Sequence, residues 1–347
     1  TTLAAQGADL AAAKGMLVFN SAGNSGNDYW KMITTPADAD SIVAVGAVNR
    51  LGEEGSFSSY GPTADGRIKP DLASVGVAAM IQSLSGGIAA SNGTSFAAPN
   101  LAGLSACLWQ AFPQVNNMRI IRALKESANN YNHPNDRIGY GIPDLKKAFI
   151  DLLKEQFAST VSNSACEITV TFTSSDKNGM AYIIESRLPH QNSFQLLENR
   201  IIYNNPMFGK RLHGFVYDIV DQSPSDIEFR ITQVLDSSAA NYTAVILDTI
   251  RSNFTQICNS APSPYFTIYP NPSIGNHQVS IYSPFLHAQY NIVVYNIHGQ
   301  QLLNRNINIG SGFTSVLLTS EPWPAGLYFV NVLKDGKSVG QQKLIKL

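Results

Sequence analysis

The spacing of hydrophobic and polar positions changes character part-way along the chain. Residues 2–14 are rich in helix formers, with Leu3, Ala4, Ala8, Leu10, Ala11 and Ala12, and Gly15 stops them. Residues 16–19 form a continuous apolar run, which predicts a strand buried on both faces, and residues 42–48 repeat the pattern. Leu101, Leu104 and Leu108 recur at helical spacing among Ala97, Ala98, Ala102, Gly103 and Ala106, which predicts a helix buried on most sides. Residues 115–127 read as an amphipathic helix with Met118, Ile121 and Leu124 apolar. A further helix follows from Leu145. From about Ala165 the period falls to two, as in Ile168-Thr169-Val170-Thr171-Phe172 and Ile227-Glu228-Phe229-Arg230-Ile231. Short alternating strands between Gly, Asn, Asp and Ser turns predict a β-sandwich. Residues 259–264 are a linker by composition, and a second alternating series runs to the C-terminus. The predicted fold class is multidomain. A partial α/β parallel-sheet domain spans 1–153, a β-sandwich with its linker spans 154–262, and a second all-β sandwich spans 263–347.

Composition narrows the function. The chain has 347 residues and a formal net charge of −1, which argues against nucleic acid as the main partner. Charged residues make up 14%, well below the roughly 25% of an average soluble domain. Ser, Thr and Asn take their place, which suits a secreted protein. No apolar run reaches the roughly 20 residues of a membrane helix. The chain opens in mid-pattern and without Met, so it reads as a fragment lacking its N-terminal part. Of three cysteines, Cys107 falls in the predicted buried helix and reads as a packing residue. Cys166 and Cys258 lie near the ends of the middle segment, where an oxidising compartment would permit a bridge. No Cys or His pair has zinc spacing.

The candidate chemistry centres on Gly93-Thr94-Ser95-Phe96-Ala97-Ala98-Pro99. Gly93 allows a sharp turn beside Ser95. A serine at a helix start lies near unpaired N–H groups and the positive dipole end, both of which favour an oxyanion. Pro99 fits only near the start of such a helix. Taken alone, a Gly-Thr-Ser is an ordinary helix cap. Ser21-Ala22-Gly23-Asn24-Ser25-Gly26 ends the first predicted strand, where open α/β sheets place their sites. Asn24 there is either a turn residue or an amide donor to a developing oxyanion.

The whole run Gly93–Gly103 resembles the nucleophile motif of the subtilisin-like serine proteases, and residues 21–26 resemble the oxyanion segment of the same family. Phe57-Ser58-Ser59-Tyr60-Gly61-Pro62, Lys69-Pro70-Asp71 and Gly139-Tyr140-Gly141 extend the resemblance over about residues 1–153. It implies Ser95 as nucleophile, Asn24 and the Ser95 N–H as oxyanion donors, and Ser21, Ala22 and Gly23 as one wall of the pocket for the substrate's P1 side chain. Lys69 and Asp71 are expected in structural roles. In place of the family's Ala-Pro-Gly after Lys-Pro-Asp, this chain has Ser74-Val75-Gly76. The family orders its triad Asp, His, Ser, and all six histidines here follow Ser95. The catalytic Asp and His are therefore expected upstream of Thr1, and the chain alone is expected to be inactive. No cofactor is required. Calcium stabilises many members of the family, but no metal ligand can be assigned in this sequence.

Residues 154–262 loosely resemble a fibronectin type III-like module. The tail carries Tyr269-Pro270-Asn271-Pro272, a turn at Gly299, Gly326-Leu327-Tyr328-Phe329-Val330 and a terminal Lys-bearing strand. Together these resemble the C-terminal sorting domain of the type IX secretion system. The partners implied are a protein or peptide substrate and the type IX machinery, with no nucleic acid and no transmembrane segment. The location implied is secreted, or anchored at the surface of a Gram-negative bacterium. The alternative reading is a non-catalytic surface protein that retains a degenerate protease domain for binding or adhesion.

Overall fold

The computed structural model describes residues 2–347 apart from 165, 204, 220–224, 239–241, 255–263, 285–287, 311 and 321. The chain divides into two compact units, Thr1–Leu152 and Leu153–Leu347.

The first unit is α/β. Helix α1 (Leu3–Ala13) is capped by Thr2. Strands β1 (Phe19–Ser21), β2 (Val43–Val48) and β3 (Leu72–Val75) form a parallel sheet in the order β1-β2-β3. Strand β2 is buried throughout, as its unbroken apolar run predicts. β1 departs from expectation. It covers residues 19–21, is only half-buried, and leaves Met16 exposed; it lies at an edge of the sheet, with β2 as its strand partner among the described residues. A hairpin of β4 (Ala79–Gln82) and β5 (Ile88–Ser91) leads into helix α2 (Thr94–Ala111), which packs on β1, β2 and β3. Helices α3 (Asn117–Ser127) and α4 (Leu145–Gln156) complete the unit.

Helix α2 corrects the expected burial. Ala97, Ala98, Leu101, Ser105 and Leu108 are buried, while Gly103, Leu104, Ala106 and Cys107 are exposed. Small residues permit close packing but do not impose it, and here a single stripe meets the sheet. Cys107 is thus a free exposed thiol, not a packing residue. On α3 the buried stripe is Asn117, Ile120, Ile121 and Leu124, which turns Met118 outward. Cys166 is disulfide-bonded, and Cys258 lies outside the described residues.

The second unit holds two sandwiches. The middle one has β6 (Ala158–Ser164), β7 (Glu167–Asp176), β8 (Ala181–Arg187), β9 (Gln195–Ile201), β10 (Gly209–Asp218), β11 (Ser225–Asp236) and β12 (Thr243–Phe254). Its sheets run β10-β7-β6 and β12-β11-β8-β9. The last has β13 (Tyr265–Tyr269), β14 (His277–Ser283), β15 (Ala288–Asn296), β16 (Gln301–Ile309), β17 (Gly312–Leu318), β18 (Gly326–Lys334) and β19 (Lys337–Lys346), with sheets β13-β14-β17 and β16-β15-β18-β19. Numbered within each sandwich, the strand order is the same in both: first, second and fifth in one sheet, and fourth, third, sixth and seventh in the other. Nearly all of the expected linker, 259–264, lies outside the described residues. No helix among the described residues is long and apolar enough to cross a membrane.

Candidate active site

Two loops at the carboxyl edge of the parallel sheet carry the sequence-selected residues. The first leaves β1. Ala22 N–H donates to Val45 O at 2.9 Å, which continues the strand pairing by one residue. The side chain of Ala22 packs with Ile33, Ala37 and Ala44 in a small buried cluster. Gly23 follows with φ 110°, where a Cβ would stand 2.8 Å from Ser59 Oγ, so only glycine passes the chain through this point. Asn24 emerges exposed.

The second loop leaves β3. Gly76 N–H donates to Val48 O at 3.0 Å, and Gly93 N–H donates to Gly76 O at 2.8 Å. The turn before α2 is thereby held on the end of β3. Gly93 is the helix N-cap and has no side chain to satisfy the first-turn donors. Phe96 N–H turns back to Gly93 O at 3.1 Å, while the Ser95 N–H has no acceptor among the described residues. Pro99 lies inside the helix and brings no N–H to the Ser95 carbonyl one turn earlier. Ser95 is exposed, and its hydroxyl meets no histidine among the described residues.

Thr94 joins the two loops. Its N–H and its Oγ1 both donate to Asn24 Oδ1, each at 2.9 Å, and its Oγ1 accepts the Gly23 N–H at 3.2 Å. An N–H can only donate, so the Asn24 atom facing Thr94 must be the amide oxygen. The amide is thus fixed in one orientation, with Nδ2 as its uncommitted end. A Cβ placed on Gly93 would lie 3.8 Å from that Nδ2, so the donor sits beside the turn that presents Ser95. Sequence reasoning passed over Thr94, although it is the central residue of the Gly-Thr-Ser motif.

Lys69 and Asp71 are committed to the scaffold. Buried Lys69 Nζ meets Asp71 Oδ2 at 2.6 Å and donates to Ile42 O at 3.0 Å. Asp71 Oδ2 also accepts the Ala44 N–H at 2.8 Å, and Lys125 reaches Asp71 Oδ1 at 2.7 Å. Burial pushes the Lys69 ammonium below its ordinary range, against the pull of Asp71. Gly139 lies against this segment at φ 63°, where a Cβ would fall 2.0 Å from Pro70 O. His133 is exposed in its loop, and His287 lies outside the described residues.

Two other polar sites compare poorly. A cleft of about 820 Å³ in the middle sandwich is lined by Arg187, Glu228 and Arg251, but these charges pair with one another. His213 and Asp176 make a fully buried His–Asp pair at 2.7 Å, and the His213 ring stacks on Phe172 and tilts against Tyr182. Among the described residues no three His, Cys, Asp or Glu side chains converge.

An uncommitted amide, a helix-start N–H and an exposed hydroxyl lie on one edge of a parallel sheet. Residues 2–141 match the profile of the Subtilase family, and residues 267–347 match that of the Secretion system C-terminal sorting domain. Residues 2–141 thus resemble the subtilase family. Subtilisin DY of Bacillus licheniformis is 33% identical over 131 residues, which is 38% of this chain and 46% of the relative. Alkaline elastase YaB of Bacillus sp. (strain YaB) is 32% identical over 143 residues, 41% of this chain and 35% of the relative. The chain thus spans less than half the length of each of these two subtilases. Among solved structures, the self-cleaved protease domain of PatA aligns at 25% identity and a TM-score of 0.36, covering 43% of this chain and 54% of that one.

Proposed function

We propose that this chain is the C-terminal part of an exported serine endopeptidase of the subtilase type, in which Ser95 is the nucleophile and Asn24 Nδ2 and the Ser95 N–H are the oxyanion donors. Ser95 Oγ attacks the scissile carbonyl carbon and passes its proton to a histidine. The carbonyl oxygen becomes an oxyanion and accepts hydrogen bonds from both donors. The histidine then protonates the departing amine, and water releases the acyl group by the same steps in reverse. The histidine and its orienting aspartate belong to sequence N-terminal to this chain, so the chain alone hydrolyses no peptide. Ser21, Ala22 and Gly23 supply one wall of the P1 pocket, chiefly with backbone, since the Ala22 side chain points into its own cluster.

The observation that carries this reading is the fixing of the Asn24 amide by Thr94. A turn asparagine needs no such restraint, whereas a transition-state donor must be oriented before charge appears. The Ser95 hydroxyl without a histidine is also what a non-catalytic surface protein would present, and labelling separates the two. A fluorophosphonate should label the full-length parent at Ser95 and leave Ser95→Ala unlabelled. An unlabelled parent with a folded domain would favour the binding protein.

The sorting domain directs export, and its type IX character points to the outer membrane of a Gram-negative bacterium, with release or surface anchoring afterwards. The strand order of the middle sandwich supports a fibronectin type III-like module.

A further inference from the structure

The C-terminal sandwich rests on the middle one through its opening strand. Tyr265 Oη on β13 donates to Val216 O on β10 at 2.8 Å. On its own side the Tyr265 ring stacks on Tyr282 at 5.2 Å and meets Phe313 edge-on at 6.0 Å. Tyr269, at the other end of β13, lies 5.4 Å from the His213 ring, and the Arg200 guanidinium stands 5.7 Å from its centroid. His213 stacks in turn on Phe172 at 5.2 Å and packs at a tilt against Tyr182 at 4.7 Å. Tyr269 therefore joins a ring cluster whose other members, Phe157, Phe172, Tyr182 and His213, precede the C-terminal sandwich. β17 also lies against β9. Strands β9 and β10 are the outer strands of their sheets on this side, and outer strands are what folded proteins need to cover. Asn271, two residues after Tyr269, joins the same segment to the last strand. Its Nδ2 donates to Lys343 O at 2.6 Å, and its Oδ1 accepts the Ile345 N–H at 2.8 Å.

We propose that the β9–β10 side of the middle sandwich is a seat for this chain's own C-terminal sandwich, latched by Tyr265 and Tyr269, and that the latch holds the tail non-covalently after the backbone between the sandwiches is cut. The Tyr of Tyr-Pro-Asn-Pro is then an internal docking residue, and the middle module acquires a task, retention of the tail. Withdrawing Tyr269 would open a cluster containing buried His213 and Asp176 to water, which opposes release. In the intact chain the tether keeps the tail at high effective concentration and hides the affinity of the latch. Only a cut chain reveals it. The inference does not depend on the peptidase reading.

The test uses the full chain with a site-specific protease sequence inserted between Phe254 and Tyr265, cut to completion and passed over a sizing column. The two pieces should co-elute at the volume of the uncut chain, and the pieces of Tyr265→Ala/Tyr269→Ala should separate. Separation of the cut wild-type pieces would overturn the proposal, as would wild-type retention in the double variant. Tyr265→Phe keeps the ring and removes only the hydroxyl bond to Val216. With the far-UV spectrum of the uncut chain unchanged, it should raise the tail's dissociation rate roughly two- to tenfold. An unchanged rate would remove Tyr265 from the latch.

Discussion

In the first unit, Asn24 and Ser95 arrive at one sheet edge from loops about seventy positions apart, and Thr94 fixes the Asn24 oxygen while the Asn24 Nδ2, the Ser95 N–H and the Ser95 hydroxyl remain uncommitted. In the second unit, Asp176 and His213 also arrive from separate strands, yet every oxygen of that carboxylate is taken. Asp176 Oδ2 accepts from Tyr182 Oη at 3.0 Å and pairs with His213 Nε2, and Oδ1 accepts from Asn205 and Arg211, each at 3.1 Å. Burial and the Asp176 charge push the Tyr182 phenol above its usual range. A His–Asp pair is half of a familiar catalytic arrangement, but here it is sealed among aromatic rings and its carboxylate is fully spent on partners. What marks the first cluster as a candidate site is one fixed atom surrounded by free ones. Residue type alone would have favoured the second.

The largest expected effect lies in the second cluster and concerns stability. Asp176→Ala leaves Tyr182, His213 and Asn205 without their shared acceptor, and should cost about 3–5 kcal/mol. Chemical denaturation should show a lower midpoint, while turnover per folded molecule of the full-length parent stays unchanged. A fall in turnover would erase the contrast. Next comes Asn24→Ala in the parent, with the reverse signature. kcat should fall by about 10²–10³, the loss known for the equivalent donor of a subtilisin, with KM and the denaturation midpoint nearly unchanged. Thr94→Val removes the hydroxyl that restrains the Asn24 amide and keeps the N–H. It should lower kcat by roughly tenfold. A loss equal to that of Asn24→Ala would make Thr94 more than a positioning residue.

The smallest effect is a pH dependence. Burial, with Glu167 opposite in register, holds the Asp218 carboxyl at about 6, above its ordinary 3.8. The folded state therefore binds this proton more tightly than the unfolded state does. Its stabilising contribution is complete below the unfolded value and is lost as pH rises through about 6. The group is half exposed, so the effect is modest. The wild type should lose stability relative to Asp218→Asn between about pH 4 and pH 7. A difference that stays flat across that window would show that the carboxyl titrates normally.

Much of the first unit was legible because its signals are local. The unbroken run before Asn49 predicts buried β2, and Gly93-Thr94-Ser95 with Pro99 predicts the start of α2. The degree of burial was less legible. Periodicity names the residues that share a face, but whether a neighbour covers that face depends on sequence-distant elements. Cys107 and Met118 were misplaced for that reason, and β1 was read as interior although it is an outer strand. The Thr94–Asn24 link spans 70 positions, and the Asp176–His213 pair spans 37. No local pattern encodes either. In the last sandwich the apolar core from Phe266 to Leu344 follows simple alternation, whereas the seat for Tyr269 depends on a partner domain and left no trace in the period.

The central claim is that Ser95 becomes a nucleophile once its base is supplied. The most direct measurement is covalent labelling by a fluorophosphonate, with the modified residue identified by mass spectrometry, on the full-length parent and on this chain side by side. The account predicts stoichiometric labelling of the parent at Ser95, none in Ser95→Ala, and none in this chain alone. Labelling of the parent at another residue, or stoichiometric labelling of this chain alone, would contradict it.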